Sequence, residues 1–222
     1  MSDNRFGRLY KADERDSLFP MQACLRRKSK RVRRYWRDDY WIGDQGILPH
    51  CVGFAWTHWL EAAPVRHIAD VMPCVDPHFV YAAAQKVDEW PGEAYDGTSV
   101  RAGAKVLKRA GYIRNYHWAR NLQDIIQALL EVGPVVVGTA WYTRMNRPKR
   151  NGIIRARGHL LGGHAYLLTG VNRQKRLLRI RNSWGPKWGV QGRAYLPFKD
   201  MKKLLRMQGE ACLAIEIPTE AK

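Results

Sequence analysis

Hydrophobic positions in the first part of the chain recur at helical spacing. Across residues 51–63 the apolar side chains fall three and four positions apart, and Pro64 ends the pattern. A second helix is predicted to begin with Asp76 as its N-cap and Pro77 as its first residue. Two further amphipathic helices are predicted over residues 99–111 and 122–130, ending at Gly111 and at Gly133-Pro134.

The pattern changes to that of β-strands after Pro134. Short apolar or alternating runs begin at Val135, His164, Arg176, Gly192 and Cys212. The sequence NRQK after Val171 predicts a hairpin between the second and third of these runs. Because helices precede strands instead of alternating with them, the order indicates an α+β fold. We expect one domain over residues 1–222, made of a basic N-terminal segment (1–43), a mainly helical lobe (44–131) and a mainly β lobe (132–222).

Charge adds a second feature. The 222 residues include 38 Lys and Arg against 20 Asp and Glu, a formal net charge of +18, which attracts polyanions and acidic proteins without selecting among them. Two basic tracts stand out, residues 25–37 and 144–157. The first is either a solvated surface segment or a contact to nucleic acid or another polyanion, and the second is either a mobile solvated loop or a guide for an acidic substrate.

The cysteines and the N-terminus indicate the compartment. No stretch has the length of a membrane span, and residues 1–16 lack the apolar core of a secretory signal. Four widely spaced cysteines without a CxxC pair favour reduced thiols over a zinc site or a disulfide framework. We therefore expect a cytoplasmic monomer that does not bind to a membrane and uses neither a metal nor another cofactor.

One cysteine is placed for nucleophilic chemistry. Cys51 lies in the first turn of a predicted helix, where the helix dipole and unpaired N–H groups stabilise a thiolate. A histidine must exchange a proton with it, and His164 begins a strand after two glycines. Asn182 ends the next strand across the predicted hairpin and is placed to orient His164, while Gln45 and the Cys51 N–H are candidate donors to an oxyanion.

These residues stand in motifs that together resemble those of the papain family (C1) of cysteine peptidases. The motifs occur in the family's order across two-thirds of the chain, and the last is the most specific: DQGILPHCVGFAW, YDGTS, GPVVV, GGHAYLLTGV and RNSWGPKWGVQG. The resemblance implies a two-lobed papain-like fold, with a helical lobe whose central helix bears the cysteine and a β-barrel-like lobe.

The resemblance also implies a role for each candidate residue. Cys51 is the nucleophile, His164 its base and acid, Asn182 the residue that orients His164, and Gln45 the oxyanion donor. Trp184 shields the contact between Asn182 and His164 from water. The remaining expected substrate contacts are Gly97, Thr98, Gly138, Gly163 and Ala165. Gly138 and Ala165 line the pocket for the second residue before the cleaved bond, which we expect to be open and apolar.

Three departures from the family pattern matter. Leu48 replaces a cysteine that many members pair in a disulfide. His50 stands before the nucleophile, where a cation would depress the pKa of Cys51 or obstruct the cleft. The spacing from Cys51 to His164 is shorter than in lysosomal members, which is typical of the compact members associated with bacteria and phages. Gln45 lies too near the N-terminus to leave room for a folded inhibitory pro-segment.

The sequence therefore predicts a thiol-dependent peptidase that cleaves a protein or peptide substrate through an acyl-enzyme on Cys51. Two alternatives stay open at this point. The same fold supports acyl transfer to an amine, or cleavage of isopeptide or peptidoglycan amide bonds. The chain is otherwise a non-catalytic module that binds nucleic acid or protein through its basic tracts.

Overall fold

The structure, a computed structural model, describes residues 5–25, 29–66 and 73–217. Within these ranges the helices are α1 (Cys51–Glu61), α2 (Pro77–Gln85), α3 (Val100–Arg109), α4 (Leu122–Glu131) and α5 (Phe198–Arg206). The strands are β1 (Arg8–Leu9), β2 (Arg33–Tyr35), β3 (Thr98–Ser99), β4 (Ile113–Trp118), β5 (Val135–Tyr142), β6 (Leu160–Asn172), β7 (Leu177–Arg181), β8 (Arg193–Pro197) and β9 (Glu210–Glu216). None of the helices in the described ranges is long and apolar enough to cross a membrane.

Most strands form one antiparallel sheet. Six of them follow the order β4-β9-β5-β6-β7-β8, and β2 pairs with the far end of the long strand β6. The order ends at β4 on one side and at β8 on the other, so these strands form an open sheet and not the closed barrel that the expected β-barrel-like lobe suggests. Strands β1 and β3 form a separate parallel pair. The predicted α+β class is confirmed.

Two helical layers cover the two faces of the sheet. Alternate residues of β5 point to opposite faces, so Val136 packs with α1 and α3 whereas Val135 and Val137 pack with α4 and α5. Ala165 on β6 lies on the α1 side, in the same cluster as Cys51. The sheet thus carries one face of the active-site region directly against the helix that begins with the cysteine.

The local signals for the helices are borne out in the described residues. Asp76 Oδ1 accepts the His78 N–H at 2.8 Å, and Ser99 Oγ accepts the Ala102 N–H at 3.0 Å, as N-caps do. Gly111 adopts φ +80° just after α3. Two elements were missed by the pattern. Strand β4 has a half-exposed, polar sequence that becomes a strand by pairing with β9, and α5 interrupts the strand-rich half.

The first basic tract has a structural task in part of its length. Arg31 and Arg34 each donate from Nη1 to the Leu130 carbonyl at the end of α4, at 3.3 and 3.0 Å, and Trp36 Nε1 donates to the Leu129 carbonyl at 2.8 Å. Cations at a helix C-terminus oppose the negative end of its dipole. Residues 26–28 of this tract lie outside the described residues.

The second basic tract is packed, contrary to the mobile-loop expectation. Met145, Ile154 and Ala156 within residues 144–157 are fully buried in the core. Arg155 Nε binds Asp200 of α5 at 2.7 Å. Apolar residues spaced between the cations therefore anchor the segment to the sheet and to α5.

Candidate active site

Cys51 is the first residue of α1, and its sulfur is in contact with β6. Its Sγ accepts the backbone N–H of Ala165 at 3.4 Å, and the side chain has no exposed surface. Ala165 directly follows His164 on the strand. This contact therefore brings the N-terminus of α1 and the His164 end of β6 together, as the sequence predicted.

His164 and Asn182 form a buried pair. Nε2 of His164 donates to Oδ1 of Asn182 at 2.8 Å, and both side chains are fully buried. The pairing of β6 with β7 sets Leu167 opposite Arg181, so the residue after Arg181 lies beside the His164 region of the neighbouring strand. With Nε2 bound to Asn182, the other ring nitrogen, Nδ1, is the atom available for chemistry at Cys51.

Aromatic side chains surround the His164 ring. The Trp184 ring centroid lies 5.0 Å from that of His164, and the Trp141 centroid lies 4.7 Å away. Both tryptophans are buried. Exclusion of water strengthens a hydrogen bond between polar groups, so this packing suits the shielding role expected of Trp184.

Gln45 is fixed by the loop that carries Asn182. Its backbone N–H donates to the Ser183 carbonyl at 2.8 Å, and its side-chain Oε1 accepts the Ser183 hydroxyl at 2.5 Å. The carboxamide Nε2 is thereby turned outward and donates to the carbonyl oxygens of Leu48 at 2.6 Å and Arg5 at 3.1 Å. Ser183 was missed by sequence reasoning, although it directly follows Asn182.

His50 is not a cation beside the nucleophile. Its ring stacks on Tyr81 with centroids 3.9 Å apart, and its Nδ1 lies 2.6 Å from Nδ1 of His78. Partial burial and the neighbouring His78 lower the pKa of His50 to about 4. The imidazole is therefore neutral at about pH 7 and supplies no positive charge to Cys51.

The main difference from the sequence expectation is a length of the chain itself that runs through the cleft. We call residues 5–9 the cleft segment. The Gly7 carbonyl accepts the Thr98 N–H at 2.9 Å, and Gly7 also bridges to Gly163 of β6. Phe6 packs edge-on against His164 with centroids 6.1 Å apart. No folded pro-segment is needed for this arrangement, because a single extended strand covers the thiol.

The expected substrate contacts are the bed of the cleft segment. A Cβ added at Gly97 would lie 2.7 Å from the Gly7 oxygen, and one at Gly163 would lie 2.0 Å from the Arg8 oxygen. The Arg5 guanidinium lies 5.0 Å from the Trp184 ring centroid. The fit is close from the other side as well, since a Cβ at Gly7 would lie 1.8 Å from the Pro49 oxygen.

The pocket expected to be open and apolar contains an ion pair. Arg8 extends over Gly138 and binds Glu210 with its Nη2 2.9 Å from Oε1, while Nε donates to the same oxygen at 3.0 Å. A Cβ at Gly138 would lie 2.7 Å from Arg8 Nε, so the glycine makes room for the guanidinium. Sequence reasoning missed both charged residues, because Arg8 belongs to the N-terminal segment and Glu210 precedes the predicted last strand.

The cleft segment also controls the electrostatics of the thiol. Burial raises the pKa of Cys51 to about 11, and the backbone N–H groups of Ala165, Gly7 and Val52 oppose the shift without cancelling it. Cys51 is therefore a protonated thiol at about pH 7 while the segment is in place. No group of three or more potential metal ligands of the His, Cys, Asp or Glu type occurs in the part of the chain that the structure describes.

The chain was compared with known proteins. Residues 76–214 match the model of the papain family cysteine proteases, a match that includes His164 and Asn182 and begins after Cys51. An uncharacterized peptidase C1-like protein, L477, of Acanthamoeba polyphaga mimivirus is 28% identical over 131 residues, which are 57% of this chain and 42% of that protein. The chain thus spans less than half the length of this curated relative.

Solved structures share the fold. Xylellain, a cysteine protease from Xylella fastidiosa, superposes with a TM-score of 0.75 at 19% identity over 98% of each chain. Procathepsin B S9 from Trypanosoma congolense gives a TM-score of 0.68 at 13% identity, over 98% of this chain and 88% of that one. These likenesses confirm the predicted papain-like architecture. Since the family model matches more than half of the sequence, this chain belongs to the papain family of cysteine proteases.

Proposed function

We propose that the chain is a thiol peptidase that cleaves peptide bonds through an acyl-enzyme on Cys51. The observation that carries the proposal is the contact of the Cys51 sulfur, at the start of α1, with the strand residue next to His164, whose ring is held by Asn182. A thiol at a helix N-terminus beside an oriented imidazole is the arrangement required of an activated sulfur nucleophile.

The proposed reaction has two steps. The Cys51 thiolate attacks the carbonyl carbon and forms a C–S bond, and protonated His164 gives its proton to the leaving amine as the C–N bond breaks. In the second step His164 takes a proton from water, and the resulting hydroxide attacks the thioester. The acid product leaves, and the proton held by His164 restores the resting pair.

Gln45 is proposed as a donor to the oxyanion. Its Nε2 already donates to a carbonyl oxygen in the cleft, that of Arg5, at 3.1 Å. The hydrogen bonds from Ser183 and to Leu48 hold the carboxamide in one orientation. A donor fixed before the reaction stabilises developing negative charge without reorganisation, so this contact supports the assigned role.

The cleft segment is proposed to be an occupant that substrate must displace. By the family resemblance, the pocket beside Gly138 takes the second residue before the cut, and the residue after it in a substrate lies nearer the thiol. Here Arg8 fills the pocket, and Gly7, which precedes it, hydrogen-bonds to the Cys51 sulfur. The segment runs in the opposite direction to a substrate, which favours occupation over cleavage of its own peptide bonds.

Cleavage of a peptide library by the full chain and by its Arg8→Ala variant tests the proposal. We expect Cys51→Ala to abolish cleavage in both backgrounds without changing the unfolding transition. Cys24→Ala, which removes a partly exposed thiol elsewhere, is the matched control and should leave cleavage unchanged. Cleavage that survives Cys51→Ala, or that is absent from both Cys51-containing chains, overturns the proposal. Mass analysis of the products separates hydrolysis from acyl transfer to an amine.

We also propose a monomer of the reducing cytoplasm that contacts polyanions through its basic tracts. The four cysteines of the described residues are free thiols. Lys30, Arg31 and Arg33 are exposed on the first tract. Polyanion binding that does not weaken as salt is added would contradict the electrostatic part of this proposal.

A further inference from the structure

A buried ion pair lies one side chain away from the proposed nucleophile. The side chains of Arg8 and Glu210 are only 5% and 9% exposed. Arg8 also donates from Nη2 to the Gln208 carbonyl at 2.6 Å. The guanidinium therefore uses two of its nitrogens on two acceptors at the floor of the cleft.

The sheet connects this pair to the thiol. Glu210 on β9 pairs with Gly138 on β5, and Gly138 pairs with Ala165 on β6. Ala165 in turn donates its N–H to the Cys51 sulfur. Glu210 thus stands at the end of a row that crosses three strands and finishes at the reacting atom.

The occupant of the pocket is not part of the pocket itself. Arg8 belongs to the cleft segment, which lies where an extended substrate must bind, whereas Glu210, Gly138 and the Gln208 carbonyl belong to the sheet and its preceding turn. When the segment leaves, a buried carboxylate loses its partner. A buried charge without a partner is costly, so the vacated site favours another cation or a proton.

We propose that Glu210 is a specificity-determining residue that selects substrates with an arginine side chain at the second position before the cleaved bond. This inference rests on the proposed function. The substrate guanidinium takes the place of Arg8, with one acceptor in the carboxylate and one in the Gln208 carbonyl. Lysine fits less well, because its single ammonium group lacks the fork that reaches both acceptors together.

Paired substrates test this inference in the full chain carrying Arg8→Ala, and in the wild-type chain at its lower expected rate. The peptides differ only at the second position before the cut, which holds arginine, its neutral isostere citrulline, or leucine. We expect kcat/KM for arginine to exceed that for citrulline by about 10- to 100-fold, the range for one charge-assisted hydrogen-bonded contact. Glu210→Gln should bring this ratio to about one and leave leucine cleavage within about threefold.

The matched control is Glu216→Gln, which neutralises another carboxylate on β9 at the opposite end of the strand. It should keep the arginine preference. Leucine cleavage without a preference for arginine over citrulline overturns the inference and leaves the proposed function standing, as does a preference that survives Glu210→Gln. Absence of all cleavage overturns the proposed function instead. If Glu210→Gln does not fold, the ratio of arginine to citrulline in the chains with Glu210 decides the inference.

Discussion

Release of the cleft segment is the perturbation with the clearest expected magnitude. Arg8→Ala removes the contacts of the guanidinium with Glu210 and Gln208 while the rest of the cleft is unchanged. Charge-assisted hydrogen bonds contribute about 1.5–3 kcal/mol, so the open form should become about 10- to 100-fold more populated. Alkylation of Cys51 proceeds through that form, and its rate should rise by the same factor.

The state of the sulfur sharpens this expectation. Burial raises the pKa of Cys51 from 9.0 to about 11 in the closed form. Two pKa units reduce the thiolate fraction at neutral pH about 100-fold, even before access is considered. Exposure of the thiol to solvent removes the main cause of that increase. Reactivity measured at several pH values should therefore show a lower apparent pKa in Arg8→Ala than in the wild type.

The assay is alkylation with iodoacetamide followed by mass mapping of each cysteine. Gly7→Ala is a second route to the same result, because its Cβ would meet the Pro49 oxygen at 1.8 Å and does not alter the charge of the pocket. Arg15→Ala is the matched control, since it removes an exposed arginine paired with Asp13 and should leave the rate within about twofold.

Two results would refute this reasoning. If Arg8→Ala and Gly7→Ala both react at the wild-type rate, the cleft segment does not limit access to the thiol. If Cys212, which is also fully buried, becomes reactive in parallel with Cys51, the variants have unfolded and have not opened the cleft.

Two further predictions concern the imidazole pair and a buried carboxyl. Asn182→Ala should lower kcat about 10- to 100-fold in single-turnover assays, because His164 loses the oxygen that orients it; an unchanged kcat would refute that role. Burial raises the pKa of Glu61 from 4.5 to about 7, so the native state binds more protons in that window and the free energy of unfolding should fall by about 1–3 kcal/mol as pH rises through it. Urea titrations should find this slope flattened in Glu61→Gln.

Local sequence signals were sufficient for much of the fold. Asp76-Pro77, Ser99 and Gly133-Pro134 mark helix ends that the structure retains, because capping depends on residues within one turn of each other. Strand β4 was missed for the opposite reason. Its polar sequence IRNYHW is held as a strand by β9, about a hundred residues later in the chain.

The roles of the charged residues needed the tertiary structure. The spacing of arginines in residues 25–37 does not indicate that two of them bind the end of α4. His50 reads as a cation beside the thiol until its burial against Tyr81 and His78 is known. In both cases the decisive partner is remote in sequence, and charge acts through distance and burial in the folded chain.

The sequence by itself determined the family, the α+β class and the four residues proposed for the chemistry, Cys51, His164, Asn182 and Gln45. These are encoded in short motifs whose order survives without reference to contacts. Only the tertiary structure decided that the cleft is filled by residues 5–9 and that its pocket carries the charge of Glu210. Arg8 and Glu210 are separated by almost the whole chain, so their attraction exists only after the sheet has formed and excluded water from between them.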